Sequence, residues 1–147
     1  MILSGTLTIG DLSRQTGCKV QTIRYYEEIG LLPAPARSSG NQRRYNPGHL
    51  DRLAFIRHGR ELGFSLPSIR ELLGLTDHPA RSCEAADAIA RVQLVQVESR
   101  ITRLQTLKKE LKRMVTECAG GRISDCRVIE VLADHNKCLH ENHLPQA

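Results

Sequence analysis

A chain of 147 residues with a formal net charge of +5 has room for one compact domain and a long appendage, or for two very small domains. The excess of Lys and Arg falls before residue 61, so a basic half is attached to a balanced one; charge alone fits a nucleic-acid partner and a merely soluble basic surface equally well. Three Tyr, two Phe and no Trp are too few for a reader that stacks bases on aromatic platforms, and no run of apolar residues is long enough to span a bilayer.

Residues 8 to 28 read as two short helices around a tight turn. Thr8 is placed to cap the first, with the carboxylate of Asp11 in its first turn and Ile9 and Leu12 facing inward. Gly17 is the stop signal, and a second helix from about Lys19 to Glu28 buries Val20 and Ile23. Helix, glycine turn and helix make the helix-turn-helix pattern. Gly30 and Leu31-Leu32-Pro33 end it. Pro35 to Pro47 then reads as a turn and a short hairpin, with Arg37 on one arm and Arg43-Arg44-Tyr45 on the other. Two more helices are expected at about 47 to 61 and 65 to 75; Leu50, Leu53, Ile56 and Arg57 share one side of the first, and Ser65 caps the second with Pro67 in its first turn.

The stretch TDHPARS, 76 to 82, is a linker, and from about Ser82 to Glu117 neither Gly nor Pro occurs. That predicts a helix roughly 50 Å long at about 1.5 Å per residue. Leu94, Val97, Ile101, Leu104, Leu111 and Val115 recur at alternating three- and four-residue steps, with Lys108 interrupting the stripe. So small a chain cannot bury such a stripe on itself, so the stripe reads as a dimer seam. Gly120-Gly121 breaks the helix, a further helical turn or two is expected at about Ser124 to Ala133, and the tail after His135 is polar. The organisation expected is a DNA-binding domain at 7–76, a linker at 77–81, a dimerisation helix at 82–117, a loop and short helix at 118–134, and a flexible polar tail at 135–147.

The series Thr8-Ile9-Gly10-Asp11-Leu12, Thr22-Ile23-Arg24-Tyr25-Tyr26-Glu27, Gly30-Leu31-Leu32, Pro35, Arg37, Asn41 and Arg43-Arg44-Tyr45 resembles the MerR family of regulators in order and spacing, over about residues 7 to 133. The resemblance implies a mostly α fold: a winged helix-turn-helix, a long antiparallel coiled-coil dimerisation helix, and a short C-terminal metal-binding loop and helix. It implies a homodimer on a pseudo-palindromic promoter in double-stranded DNA. Such a regulator works with RNA polymerase by distorting that DNA when an effector binds, and it is not an enzyme. A recognition helix carrying Gln21, Thr22, Arg24 and Tyr25 can present base- and phosphate-reading groups, and Arg37, Asn41, Arg43 and Tyr45 of the wing can hold the backbone alongside. Arg57 adds a phosphate contact by matching the family's pattern, whereas Tyr26 reads better as a packed residue.

Met1 to Gly10 lack the basic and apolar segments of a signal peptide, so a cytoplasmic location is expected, and the five cysteines read as thiols or metal thiolates rather than disulfides. Cys83 opens the long helix, Cys118 closes it and Cys126 follows the loop CAGGRISDC. Cys83 and Cys118 stand about 52 Å apart along one helix, but an antiparallel dimer brings Cys83 of one subunit beside Cys118 and Cys126 of the other. Thiolates there suit Zn²⁺, Cd²⁺, Pb²⁺, Hg²⁺ or Cu⁺, against the plainer reading of cysteine as a small buried hydrophobe. By the resemblance, a Cys at position 83 implies a divalent ion, Zn²⁺ foremost. The loop spacing resembles that of copper-type sensors, and Glu117 stands where zinc-type members can carry a further Cys.

His135, Cys138, His140 and His143 could supply auxiliary ligands, as could His78; Cys18, His49 and His58 read as packing or surface residues. A Cu(I)-responsive or a thiol-redox regulator is the main alternative. The four clustered cysteines of an iron–sulfur site are absent, no HExxH motif supports a zinc hydrolase, and the thirty residues after 117 are too few for a multidrug-binding domain.

Overall fold

The computed structural model describes residues 5–118 and 120–138. Two compact units divide the chain, Met1–Ile89 and Ala90–Ala147.

In the first unit, α1 (Ile9–Thr16) starts at Thr8, whose hydroxyl accepts the Asp11 amide at 3.1 Å while the Asp11 carboxylate accepts the Thr8 amide at 2.9 Å. This reciprocal cap satisfies two amides that a helix start leaves open, and the Thr8 hydrogen bonds hold Asp11 below the usual carboxylate range. Gly17 closes α1 at φ 71°, its amide on the Ser13 carbonyl at 2.8 Å. A side chain at Gly17 would be strained by that φ and would collide with the Arg57 guanidinium. Helix α2 (Val20–Glu28) buries Ile23 and Tyr26. Val20, at its first position, is only half-buried, because the first turn is not yet inside the core.

Strands β1 (Ala36–Arg37) and β2 (Arg43–Arg44) form the antiparallel wing in the register Ala36↔Arg44 and Arg37↔Arg43. Its base is held to the N-terminal segment by two Leu7–Tyr45 backbone hydrogen bonds of 2.8 Å. Helix α3 (Pro47–Glu61) is capped by Asn46 and His49 in the same reciprocal manner as α1, and α4 (Leu66–Thr76) by Ser65. His49 is buried, its Nε2 3.1 Å from the Pro33 carbonyl, so of the packing and surface roles expected for it the structure shows packing. Leu12, Ile23, Leu31, Leu32, Tyr45, Leu53, Ile56 and Ile69 have no exposed surface and form one core drawn from all four helices and the wing.

The long helix is unbroken as α5 (Glu84–Glu117). Along it Leu94, Ile101, Leu104, Leu111 and Val115 are between 49 and 72 % exposed and Val97 is half-buried, so most of the predicted stripe is uncovered in the single chain. In the second unit the expected last helix is two pieces, a 3-10 turn at Ile123–Asp125 and α6 (Arg127–Ala133), separated by extended backbone at Cys126. Arg127 joins them to the helix end: it lies 2.7 Å from the Glu117 carboxylate and 3.1 Å from that of Glu130. A second 3-10 turn, His135–Lys137, is held by Arg113 donating to the Lys137 carbonyl at 2.7 Å. Met114 and Val131 are the buried apolar residues of this unit.

Candidate nucleic-acid interface and thiol sites

Helical periodicity sorts α2 into two faces. Ile23 and Tyr26 point into the core, which leaves Gln21, Arg24 and Tyr25 exposed and Thr22 half-buried. Tyr25 keeps 48 % of its surface, an unusual exposure for an aromatic ring in a domain whose other Tyr side chains are buried. In the wing, Arg37 donates to the Asn41 carbonyl at 3.0 Å, and Asn41 itself takes a left-handed φ of 61° to make the turn. Arg43 is half-buried, its Nε 3.1 Å from Glu27 Oε2 on α2.

Two expected DNA-contacting residues are used by the fold. Tyr45 has no exposed surface, so the expectation that it reaches a phosphate is corrected: its ring is core and its hydroxyl donates to Glu27 Oε1. Burial first, and the hydrogen bond to Glu27 next, push this phenol far above the usual phenol range. Arg57 donates to the Thr16 carbonyl, the open C-terminal end of α1, and its Nε pairs with Glu61 at 2.9 Å. It is nonetheless exposed, so this anchoring is compatible with a phosphate contact.

Sequence reasoning missed a related group. Arg52 donates to the Leu31 carbonyl at 2.8 Å and Arg70 to the Ile29 carbonyl at 2.6 Å, just past the end of α2. Cations suit the carbonyl end of a helix, so part of the basic excess stabilises the helix-turn-helix itself. No local signal distinguishes these arginines, because their acceptors lie about twenty to forty residues away in the chain. Glu27 was also missed as an anchor, although it stands inside the quoted motif.

The thiols fall into separate settings. Cys83 is exposed and lines a cavity of about 330 Å³ with Phe55, Leu72, Leu75, His78 and Pro79, all in the first unit. In the second unit Cys118 and Cys126 are brought together. The Cys126 thiol is held below its ordinary value by the Ile129 amide, against an opposing effect of burial, and further by the Val128 amide and the Cys118 thiol. Open amides at a helix start thus favour a thiolate at Cys126. Glu117 is engaged with Arg127. Cys18 packs against the core.

Sulfur pairs fit thiophilic ions, but two donors fall short of the four of a closed zinc site. Among the described residues no three His, Cys, Asp or Glu side chains gather closely enough to hold a metal. Cys138 is not part of the Cys118–Cys126 pair in that sense; it lies near Arg113. His140 and His143 lie outside the described residues.

A family profile described as "MerR HTH family regulatory protein" matches residues 7–75, and one described as "MerR, DNA binding" matches residues 50–114. The transcriptional regulator ZntR of Escherichia coli K12 is 39 % identical over 127 residues, 84 % of this chain and 90 % of that protein. Among solved structures, the regulator PbrR691 of Ralstonia metallidurans CH34 in complex with lead(II) is 39 % identical, with a TM-score of 0.73 over 86 % of this chain and 98 % of that one. The regulator MerR of Bacillus megaterium MB1 in complex with mercury(II) is 28 % identical, with a TM-score of 0.65 over 87 % and 100 %.

Proposed function

The chain belongs to the MerR family of helix-turn-helix transcriptional regulators, and from that premise we propose that it is a cytoplasmic, metal-responsive regulator that binds promoter DNA as a homodimer. The family consists of DNA-binding regulators rather than enzymes. The observation that carries the metal reading is the Cys118–Cys126 thiol pair, with Cys126 held toward its thiolate form. Relatives solved with lead(II) and mercury(II) support it.

Cys118 and Cys126 of one subunit, joined by Cys83 of the other, would hold a divalent thiophilic ion, Zn²⁺ foremost, with Cd²⁺, Pb²⁺ and Hg²⁺ as its competitors. Such an ion contributes positive charge that neutralises neighbouring thiolates. The uncovered stripe on α5 supports a second copy as the source of the third thiol: an antiparallel pairing covers Leu94, Ile101, Leu104, Leu111 and Val115 and sets the start of one helix beside the end of the other. A site shared across the dimer couples effector binding to the relation between the two DNA-reading units. With Gln21, Thr22, Arg24 and Tyr25 in the major groove and Arg37, Asn41, Arg43 and Arg57 on the backbone, that coupling acts on a distorted promoter and presents it to RNA polymerase.

The test is an anaerobic titration of the reduced dimer with Zn²⁺ and Cu⁺ against competing chelators, for the wild type and Cys83→Ser. Tight Zn²⁺ binding that weakens about a hundredfold in Cys83→Ser supports a divalent sensor with a shared site. Much tighter Cu⁺ binding that is indifferent to Cys83→Ser would make the protein a monovalent-ion sensor. The contact between Cys118 and Cys126 also suits a disulfide; a reduced protein that binds neither ion but changes promoter activity on oxidation would establish the thiol-redox alternative.

A further inference from the structure

Glu27 joins the recognition helix to the wing through its carboxylate. It projects from α2 with only 10 % of its side chain exposed. One oxygen accepts the Arg43 Nε at 3.1 Å and the other accepts the Tyr45 hydroxyl, so both carboxylate oxygens are used on residues two apart on the wing's second arm. Tyr45 is in turn fixed in the core and by its backbone pairing with Leu7. Near the same group, Arg24 acts electrostatically on the Tyr45 phenol.

An acidic residue paired with a cation of the proposed DNA-contacting surface is costly for DNA binding on charge alone, since it lowers the local positive potential. Its near-complete burial and two-handed engagement fit another role. We propose that Glu27 is a positioning residue for DNA reading: it locks the wing to the recognition helix so that Arg24 and Arg43 meet the duplex as one rigid pair. The proposal rests on the DNA-binding reading above. Only the Nε edge of Arg43 is engaged by Glu27, which leaves the two Nη groups of the fork to reach a phosphate while the side chain's direction is held. Holding Arg43 in place before binding removes the rotamer entropy that a free arginine would lose on the DNA.

Loss of a negative charge and loss of the positioning contact change DNA affinity in opposite directions. The probes are a duplex selected from a random pool by the wild-type dimer and a scrambled duplex of equal length. Glu27→Gln adds one unit of net positive charge and keeps an oxygen for the Tyr45 hydroxyl, but releases Arg43. Positioning predicts that affinity for the selected duplex falls about tenfold despite the added charge, while the scrambled duplex is bound as well or better. The salt dependence of selected-duplex binding should flatten toward the loss of one phosphate contact, a change of about 0.9 in slope. Arg43→Ala should show the same loss, and the double variant should bind no more weakly than Arg43→Ala alone. Tyr45→Phe, which keeps the ring in the core and removes only the hydroxyl, should weaken the selected duplex in the same direction by a smaller factor, and it carries the test if Glu27→Gln fails to fold. Tighter binding of both duplexes by Glu27→Gln, or additive losses in the double variant, would overturn the proposal. A wild type that enriches no sequence would overturn the DNA-binding reading beneath it.

Discussion

The two units of this chain differ in what they leave unfinished. The first closes on itself: its four helices and wing share one core, three of its helix starts are capped by side chains, and arginines cover carbonyls at or just past the ends of α1 and α2. The second is finished only in part. Met114 and Val131 are covered, but most of the stripe on α5 is exposed and, among the described residues, the thiol pair has too few donors for a closed metal site. A reading surface has to be rigid before it meets its ligand, because slack there lowers discrimination. A sensing surface has to be incomplete, because an effector or partner that changes nothing in the contacts shifts no equilibrium.

The contrast is sharpest for apolar truncations. Leu53→Ala in the closed core should cost about 3 kcal/mol of stability and lower the melting of the first unit, read by circular dichroism. Leu104→Glu, at a residue 63 % exposed, should leave helicity nearly intact and instead halve the mass seen in sedimentation. A monomeric wild type, or a Leu104→Glu dimer as tight as the wild type, would break the idea that α5 awaits a second copy. A smaller effect separates reading from folding: Arg24→Ala should weaken DNA binding by about 1–3 kcal/mol, with and without metal, and leave melting unchanged. Normal affinity in that variant would remove α2 from the interface. The smallest effect lies in a cap. Thr8→Ala should destabilise the first unit by about 1 kcal/mol and leave metal affinity untouched. The Asp11 half of that cap has a depressed pKa, so its contribution is present above the ordinary carboxylate range and is lost as pH falls through its lowered value; a melting curve flat from neutral to strongly acid pH would contradict it.

Much of the fold was legible because its signals are local. Thr8 with Asp11, Gly17, Ser65 with Pro67 and the Gly-free run to Glu117 each mark an element by residues within a few positions of its end. The last helix was placed less well, since the extended backbone at Cys126 splits it into a 3-10 turn and α6. For the thiols, the sequence indicated that Cys118 and Cys126 bracket a loop. It could not indicate that the Ile129 and Val128 amides favour the Cys126 thiolate, or that Glu117 is held by Arg127.

By itself the sequence determined the helices, their caps, the wing, the exposed stripe and the residue types available for reading DNA and binding sulfur-seeking ions. Those follow from periodicity and from hydrogen bonds between near neighbours. The tertiary structure alone decided which polar groups remain available. It withdrew Tyr45 into the core, set Arg52 and Arg70 on carbonyls beyond the end of α2, and gave Glu27 to the wing. Those assignments join residues sixteen to forty-one positions apart, and a buried polar group takes the partner that folding brings within reach.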